Sequence, residues 1–158
     1  MDINNDNEYR KGVVGIIRNT KDEYLIVNLI NYKSNEWSFP GGGKEENESY
    51  EGAVFREIKE EVNIDKQDLI LIGQSKLPLK YNFPKELIES NKKIGRNFIG
   101  QIKQQFLLEL KNNDVNIKLQ KSEINKYIWV QYEDLYKYLI FFNLLENTLA
   151  VIKEFAKN

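Results

Sequence analysis

The sequence predicts an α/β protein, an α/β/α sandwich in which a mixed sheet lies between helices. Two strand-like runs open the chain, an amphipathic helix follows at 49–62, and longer strand-like runs come after it. A second amphipathic segment, 144–155, closes the fold. At 158 residues the chain reads as one domain over 1–158, large enough for a real core.

The elements can be justified in order. Residues 12–18 and 23–30 are rich in Val, Ile and Leu, so they read as strands joined by a turn at Asn19-Thr20-Lys21-Asp22. Residues 37–39 (Trp-Ser-Phe) form a short extended piece. Pro40-Gly41-Gly42-Gly43 reads as a flexible turn, where glycine lets backbone approach a ligand or metal closely. In the helix 49–62, Phe55, Ile58 and Val62 fall on an apolar arc for the core. Ser49 or Asn47 can cap its start, and Asn63 can take the left-handed conformation that ends it. Residues 69–77 and 98–109 read as strands. Between them, 78–97 reads as a long irregular insertion of the kind that often carries function. A turn at 112–116, a strand at 126–130 and a short helix at 132–139 complete the order. Trp37 and Trp129 read as core or wall residues.

Composition removes whole classes of chemistry. There is no Cys, which excludes disulfides and thiolate metal sites, and no His, which excludes histidine triads, bases and zinc ligands. Catalysis must come from carboxylates, Lys, Arg, Tyr or an oxygen-bound metal. The first seven residues are polar and do not form a signal peptide, and no apolar run approaches the roughly 20 residues of a membrane span. A cytoplasmic protein without a membrane partner is expected. The net charge of −1 argues against a general nucleic-acid-coating surface. The charge is uneven, however. Within 76–103, Lys76, Lys80, Lys85, Lys92, Lys93, Arg96 and Lys103 face only Glu86 and Glu89. Such a flank suits a polyphosphate.

The strongest signal is the spacing of Gly42, Glu48, Arg56, Glu57, Glu60 and Glu61. At roughly 100° per residue, Glu57, Glu60 and Glu61 share an arc of about 100° on the helix. Like charges at such spacing destabilise a helix by a few tenths of a kcal/mol per pair. A divalent cation reverses that sign, and carboxylate oxygens suit Mg²⁺ or Mn²⁺.

This constellation resembles the box of the Nudix hydrolases, with Ile58 and Ile64 at its apolar positions and the box spanning 42–64. Asn63 stands where the family has Gly, and Asn tolerates a positive φ. Further resemblance runs through Tyr9-Arg10, the segment 37–42, Lys80-Tyr81 to Pro84-Lys85, Ile99-Gly100-Gln101, Ser122-Glu123 and the last helix. Their order is similar to the RNA pyrophosphohydrolase and dinucleoside polyphosphate hydrolase branch. Two features depart from it. Lys33 is the only cation in 31–34, and Phe141-Phe142-Asn143 replaces a Phe-Lys pair.

The resemblance implies a Nudix fold and a divalent metal cofactor, Mg²⁺ with Mn²⁺ as the alternative. It implies Glu57, Glu60 and Glu61 as metal ligands, a Gly41 or Gly42 carbonyl as a further one, and Arg56 with Glu48 as braces of loop and helix. Glu123 matches an outlying metal-binding or proton-accepting acid. Arg10, Lys33, Lys85 and Gln101 are candidate substrate contacts, with Tyr81 and Phe142 as candidates to meet a base. The implied reaction is hydrolysis of a nucleoside polyphosphate linkage. Its candidate substrates are 5′-triphosphorylated RNA first, diadenosine tetraphosphate second and a damaged nucleoside triphosphate third. A catalytically silent nucleotide-binding module is the reading from another class.

Overall fold

The computed structural model describes residues 7–156, so most of the polar N-terminal segment lies outside the described residues. Among the described residues, seven strands and three α-helices follow in order: β1 (Tyr9–Arg18), β2 (Glu23–Leu29), β3 (Gly41–Gly43), α1 (Tyr50–Val62), β4 (Leu69–Gln74), β5 (Leu79–Asn82), α2 (Lys85–Lys93), β6 (Gly100–Leu110), β7 (Ile124–Gln131) and α3 (Leu144–Glu154). The sheet runs β4-β6-β1-β2-β7, with β3 added to β1 and β5 added to β6. It is mixed: β1 and β6 are parallel from Tyr9–Gly100 to Arg18–Glu109, and the other pairings are antiparallel.

β1 is buried on both faces, which explains its nearly unbroken apolar run. Val13 and Ile17 point to one face, with Ala53, Val54, Ile58 and Val62 of α1. Val14 and Ile16 point to the other, with Leu144, Val151 and Ile152 of α3. A side chain on Gly15 would come within 2.9 Å of Ile58, so this glycine lets α1 close onto the sheet. The layered fold expected from the sequence is present.

α1 begins and ends as its sequence dictates. The Ser49 hydroxyl accepts from the Gly52 N–H at 2.9 Å. Asn63 has φ 64° and ψ 34°, the left-handed exit expected there. Its carboxamide also accepts from Lys59 Nζ and donates to the Asn116 carbonyl.

Several expectations need correction. The glycines at 41–43 are not a flexible turn but a strand paired with Gly12–Val14. The pairing is possible because the main chain keeps its hydrogen bonds whatever the side chains are. The segment 78–97 is not irregular: it contains β5, held by β6, and α2, which starts after Pro84. The 37–39 piece pairs only through a bridge between Val27 and Ser38. β4 stops at Gln74, short of Leu77, and Tyr9 and Arg10 lie inside β1 rather than before it. Residues Tyr132–Lys137 form a 3-10 helix. Trp37 is buried and Trp129 half-buried against the core, as wall residues should be.

Candidate active site

β1 meets β2 only at the hairpin end, where Arg18 faces Tyr24, and farther back it pairs with β3. This three-glycine strand therefore lies beside the middle of the sheet, next to α1. A side chain on Gly42 would collide with the Glu57 carboxylate at 2.5 Å, and one on Gly43 would collide with the Arg10 guanidinium. Glycine is required here so that an acid from the helix and a cation from the sheet can lie against one short strand.

Arg56 ties the helix to the loop before it. Its Nε donates to Glu48 Oε2 at 3.0 Å and its Nη2 to Glu48 Oε1 at 2.5 Å, while Nη2 also reaches the Gly43 carbonyl at 2.9 Å. Nη1 donates to Glu57 at 3.0 Å and to Glu60 at 3.3 Å. The guanidinium and the Glu45 N–H hold the Glu48 carboxyl down at about 2.

Glu57 and Glu61 are both buried. Burial pushes Glu57 up despite the opposing pull of Arg56, and Glu60 and Glu123 add to the rise. Glu61 accepts the Gly41 N–H at 2.8 Å. Burial still pushes it up to about 8, and repulsion from Glu57 and Glu123 acts in the same direction. Glu123 is exposed but brought into range by its loop. The Lys118 and Gln120 N–H groups donate to the Val62 and Glu61 carbonyls at 3.1 and 3.0 Å, and the Glu123 carbonyl accepts from Ile30.

Among the described residues no three acidic side chains converge as a ready metal cage. The carboxylates spend oxygens on Arg56 and on the Gly41 N–H, and Glu60, half exposed, leans to Arg56. The donor chemistry nonetheless fits a hard divalent ion. Two buried carboxylates repel each other and a third acid nearby, and a cation would relieve that repulsion.

The cationic side of the site comes from the sheet. Arg10, Gln101 and Tyr81 are register partners across β1, β6 and β5, so their side chains share a face. Two residues on, Gly12, Lys103 and Leu79 repeat the alignment. Tyr81 is 40% exposed as a residue, yet burial at its hydroxyl pushes the pKa up to about 12, with Tyr32 adding to the rise and Arg10 opposing it. Lys103 is half-buried; burial lowers its pKa, whereas Glu61 and Glu57 attract its charge.

The remaining candidates lie at the surface. Lys33 and Lys85 are exposed, Lys85 at the start of α2. Phe142 is 92% exposed, whereas Phe141 packs edge-on against Tyr32 with centroids 5.0 Å apart. A depression of about 810 Å³ beside Phe55, Lys66 and Lys111 is lined by none of Glu57, Glu60, Glu61 and Glu123. Lys103 stood only as one cation of a long flank in the sequence, and Tyr32 was not singled out. A polar Gln101-x-Lys103-x-Gln105 alternation inside a strand rich in apolar residues was the available signal for the former.

The braced acidic helix, the glycine strand and the mixed sheet define a Nudix-type hydrolase fold and site. The chain belongs to the NUDIX domain family, whose model matches residues 8–149. Proteins of this family generally need divalent metal ions. More particularly, the chain is 37% identical over 127 residues to an RNA pyrophosphohydrolase of Pasteurella multocida, covering 78% of this chain and 62% of that protein. The chain thus spans less than two thirds of that relative's length. It is 33% identical over 154 residues to an RNA pyrophosphohydrolase of Proteus mirabilis, covering 96% of this chain and 85% of that one. Among solved structures, a C. elegans Ap4A hydrolase binary complex matches with TM-score 0.68 at 23% identity, over 92% of this chain and 98% of that one. The E. coli dihydroneopterin triphosphate pyrophosphohydrolase matches with TM-score 0.72 at 20% identity, over the same shares. These two likenesses establish the fold. No helix among the described residues is long and apolar enough to cross a membrane.

Proposed function

We propose that this chain, acting as one cytoplasmic domain over 1–158, is a Mg²⁺-dependent pyrophosphohydrolase that converts 5′-triphosphorylated RNA to 5′-monophosphate RNA. The observation that carries this reading is the opposition of charges across the glycine strand. Buried Glu57 and Glu61 stand on one side, and Arg10, aligned with Gln101 and Tyr81, on the other. A polyphosphate bridged to a divalent ion needs both. The name of the two relatives, RNA pyrophosphohydrolase, supports RNA as the substrate class.

Glu57, Glu60 and Glu61 would hold Mg²⁺ or Mn²⁺, with the Gly41 carbonyl as a further ligand. Such an ion supplies an acidified water and neutralises charge on the departing phosphate. Arg56 and Glu48 keep helix and loop in register, since one guanidinium spans Glu48, Glu57, Glu60 and the Gly43 carbonyl. Glu123 orients the attacking water and accepts its proton, carried beside Glu61 by the hydrogen bonds of the 118–123 loop. Arg10, Gln101, Lys33 and Lys85 hold phosphate oxygens, and Tyr81 and Phe142 meet the first bases.

Asymmetrical hydrolysis of diadenosine tetraphosphate to ATP and AMP is the second reading. It is favoured by Phe141-Phe142-Asn143, which stands in place of the Phe-Lys pair of the RNA branch. Competing triphosphorylated RNA against diadenosine tetraphosphate under matched Mg²⁺, with products resolved, decides between them. A larger kcat/KM for RNA is expected, and the reverse ratio selects the dinucleotide. Activity confined to nucleotide sugars defeats both, and no Mn²⁺-supported phosphate release from any of them leaves a silent binding module.

A further inference from the structure

Lys103 was counted above only as one cation of the 76–103 flank, yet its placement is unusual. It stands on β6 directly opposite Gly12, and a side chain at Gly12 would touch its Cγ at 3.3 Å. The lysine stem therefore crosses bare backbone next to the glycine strand. Its charge is attracted by Glu61 and Glu57 and repelled by Arg10, so the ammonium lies in the field between the acids and the arginine. Among the described residues, no hydrogen bond or ion pair reaches it. A half-buried ammonium held without a partner is costly, and such a group in a well-packed protein calls for an explanation. An anionic ligand oxygen supplies one.

We propose that Lys103 is a phosphate-binding residue of the site, donating to an oxygen of the polyphosphate between the carboxylate pair and Arg10. The proposal rests on the hydrolase reading. It predicts which phosphorylated ligands bind well. A chain of phosphates long enough to reach from the metal-binding carboxylates to Arg10 passes Lys103, whereas a single phosphate engages only one of these groups. Leu79, the β5 partner of Lys103, closes the same face with an apolar side chain and adds no rival cation.

The test is calorimetric titration of the intact chain with α,β-methylene ATP in Mg²⁺, beside Mn²⁺ titrations and thermal melts. Lys103→Gln should weaken analogue binding about tenfold or more, the scale of one charge-assisted hydrogen bond. Melting temperature should be unchanged or higher, because a desolvated cation has been removed. Lys103→Arg should restore at least part of the affinity. If Lys103 serves only as a counter-charge for the acids, Lys103→Gln will tighten Mn²⁺ binding and leave analogue affinity unchanged, which overturns the proposal. A wild-type chain that binds no analogue overturns the hydrolase reading together with this one. Normal wild-type binding with an unaffected Lys103→Gln variant overturns this one alone.

Discussion

The glycine-box end of the molecule and the basic insertion between β4 and β6 are built in opposite ways. In the box, α1 buries seven residues, two of them glutamates, and one arginine knits helix to loop. In the insertion, α2 buries none, and its start has no side-chain cap. Leu87 and Ile94 stand exposed at 42% and 67%. The box spends stability to hold like charges together in fixed positions. The insertion spends little and presents cations to solvent. Charge that must act at a defined atom is embedded in packing, and charge that only attracts can sit on a lightly held arm.

The sharpest test of this contrast lies in the box. Glu57→Gln or Glu61→Gln should lower turnover about 100-fold or more, while melting temperature in metal-free buffer holds or rises as burial and repulsion are relieved. A variant keeping more than about a tenth of wild-type rate would remove that residue from the ligand set. Glu123→Ala should lower kcat about tenfold or more with KM little changed, because an interaction confined to the transition state is lost. Steady-state kinetics showing KM alone affected would place Glu123 in binding instead.

Stability should divide along the same line. Ile58→Ala, in the fully buried face of α1, should cost about 2–5 kcal/mol, and Leu87→Ser in α2 about 0.5 kcal/mol or less. Urea denaturation of the two variants measures the difference directly, and equal losses would erase the distinction. The buried acid also gives the box a pH signature. The Glu61 pKa is raised from 4.5 to about 8 in the folded chain, so the folded state holds a proton that the unfolded state releases earlier. Metal-free stability should therefore fall as pH rises through that window, and Glu61→Gln should flatten the slope. The smallest effect is expected at Asn63→Gly. Relief at φ 64° is offset by the lost contacts to Lys59 and Asn116, so the change should stay within about 1 kcal/mol by thermal melt.

The contrast also explains what the sequence could and could not reveal. The box was legible because its signals are local: an i,i+3,i+4 set of acids, a serine cap, an asparagine exit and an arginine at fixed spacing. Every one of these works within a few turns of chain. β5 was missed because Leu79–Asn82 becomes a strand only by pairing with Gly100–Lys103 about twenty residues later. α2 was missed because a short helix with no buried face shows little contrast in its apolar pattern. The glycine strand was misread for a different reason. Three glycines suggest freedom, but their lack of side chains serves close packing of Glu57 and Arg10. Which of the two adjacent phenylalanines turns inward depends on distant packing: Phe141 meets Tyr32, and Phe142 stands in solvent.

The parallel ladder between β1 and β6 has a consequence for how the chain is made. Each register pair joins residues 91 positions apart, from Tyr9–Gly100 to Arg18–Glu109. Loops of that length close slowly, and contacts of high sequence separation slow folding. As the chain emerges from the ribosome, the acidic helix and its glycine loop can meet early, because Arg56 and Glu48 lie eight residues apart. Arg10 leaves first and then waits, unmatched on that edge, until Gln101 and Lys103 arrive. The acids are assembled by neighbours and the cations by distant relatives along the chain, so the proposed polyphosphate grip can be completed only after β6 has been made.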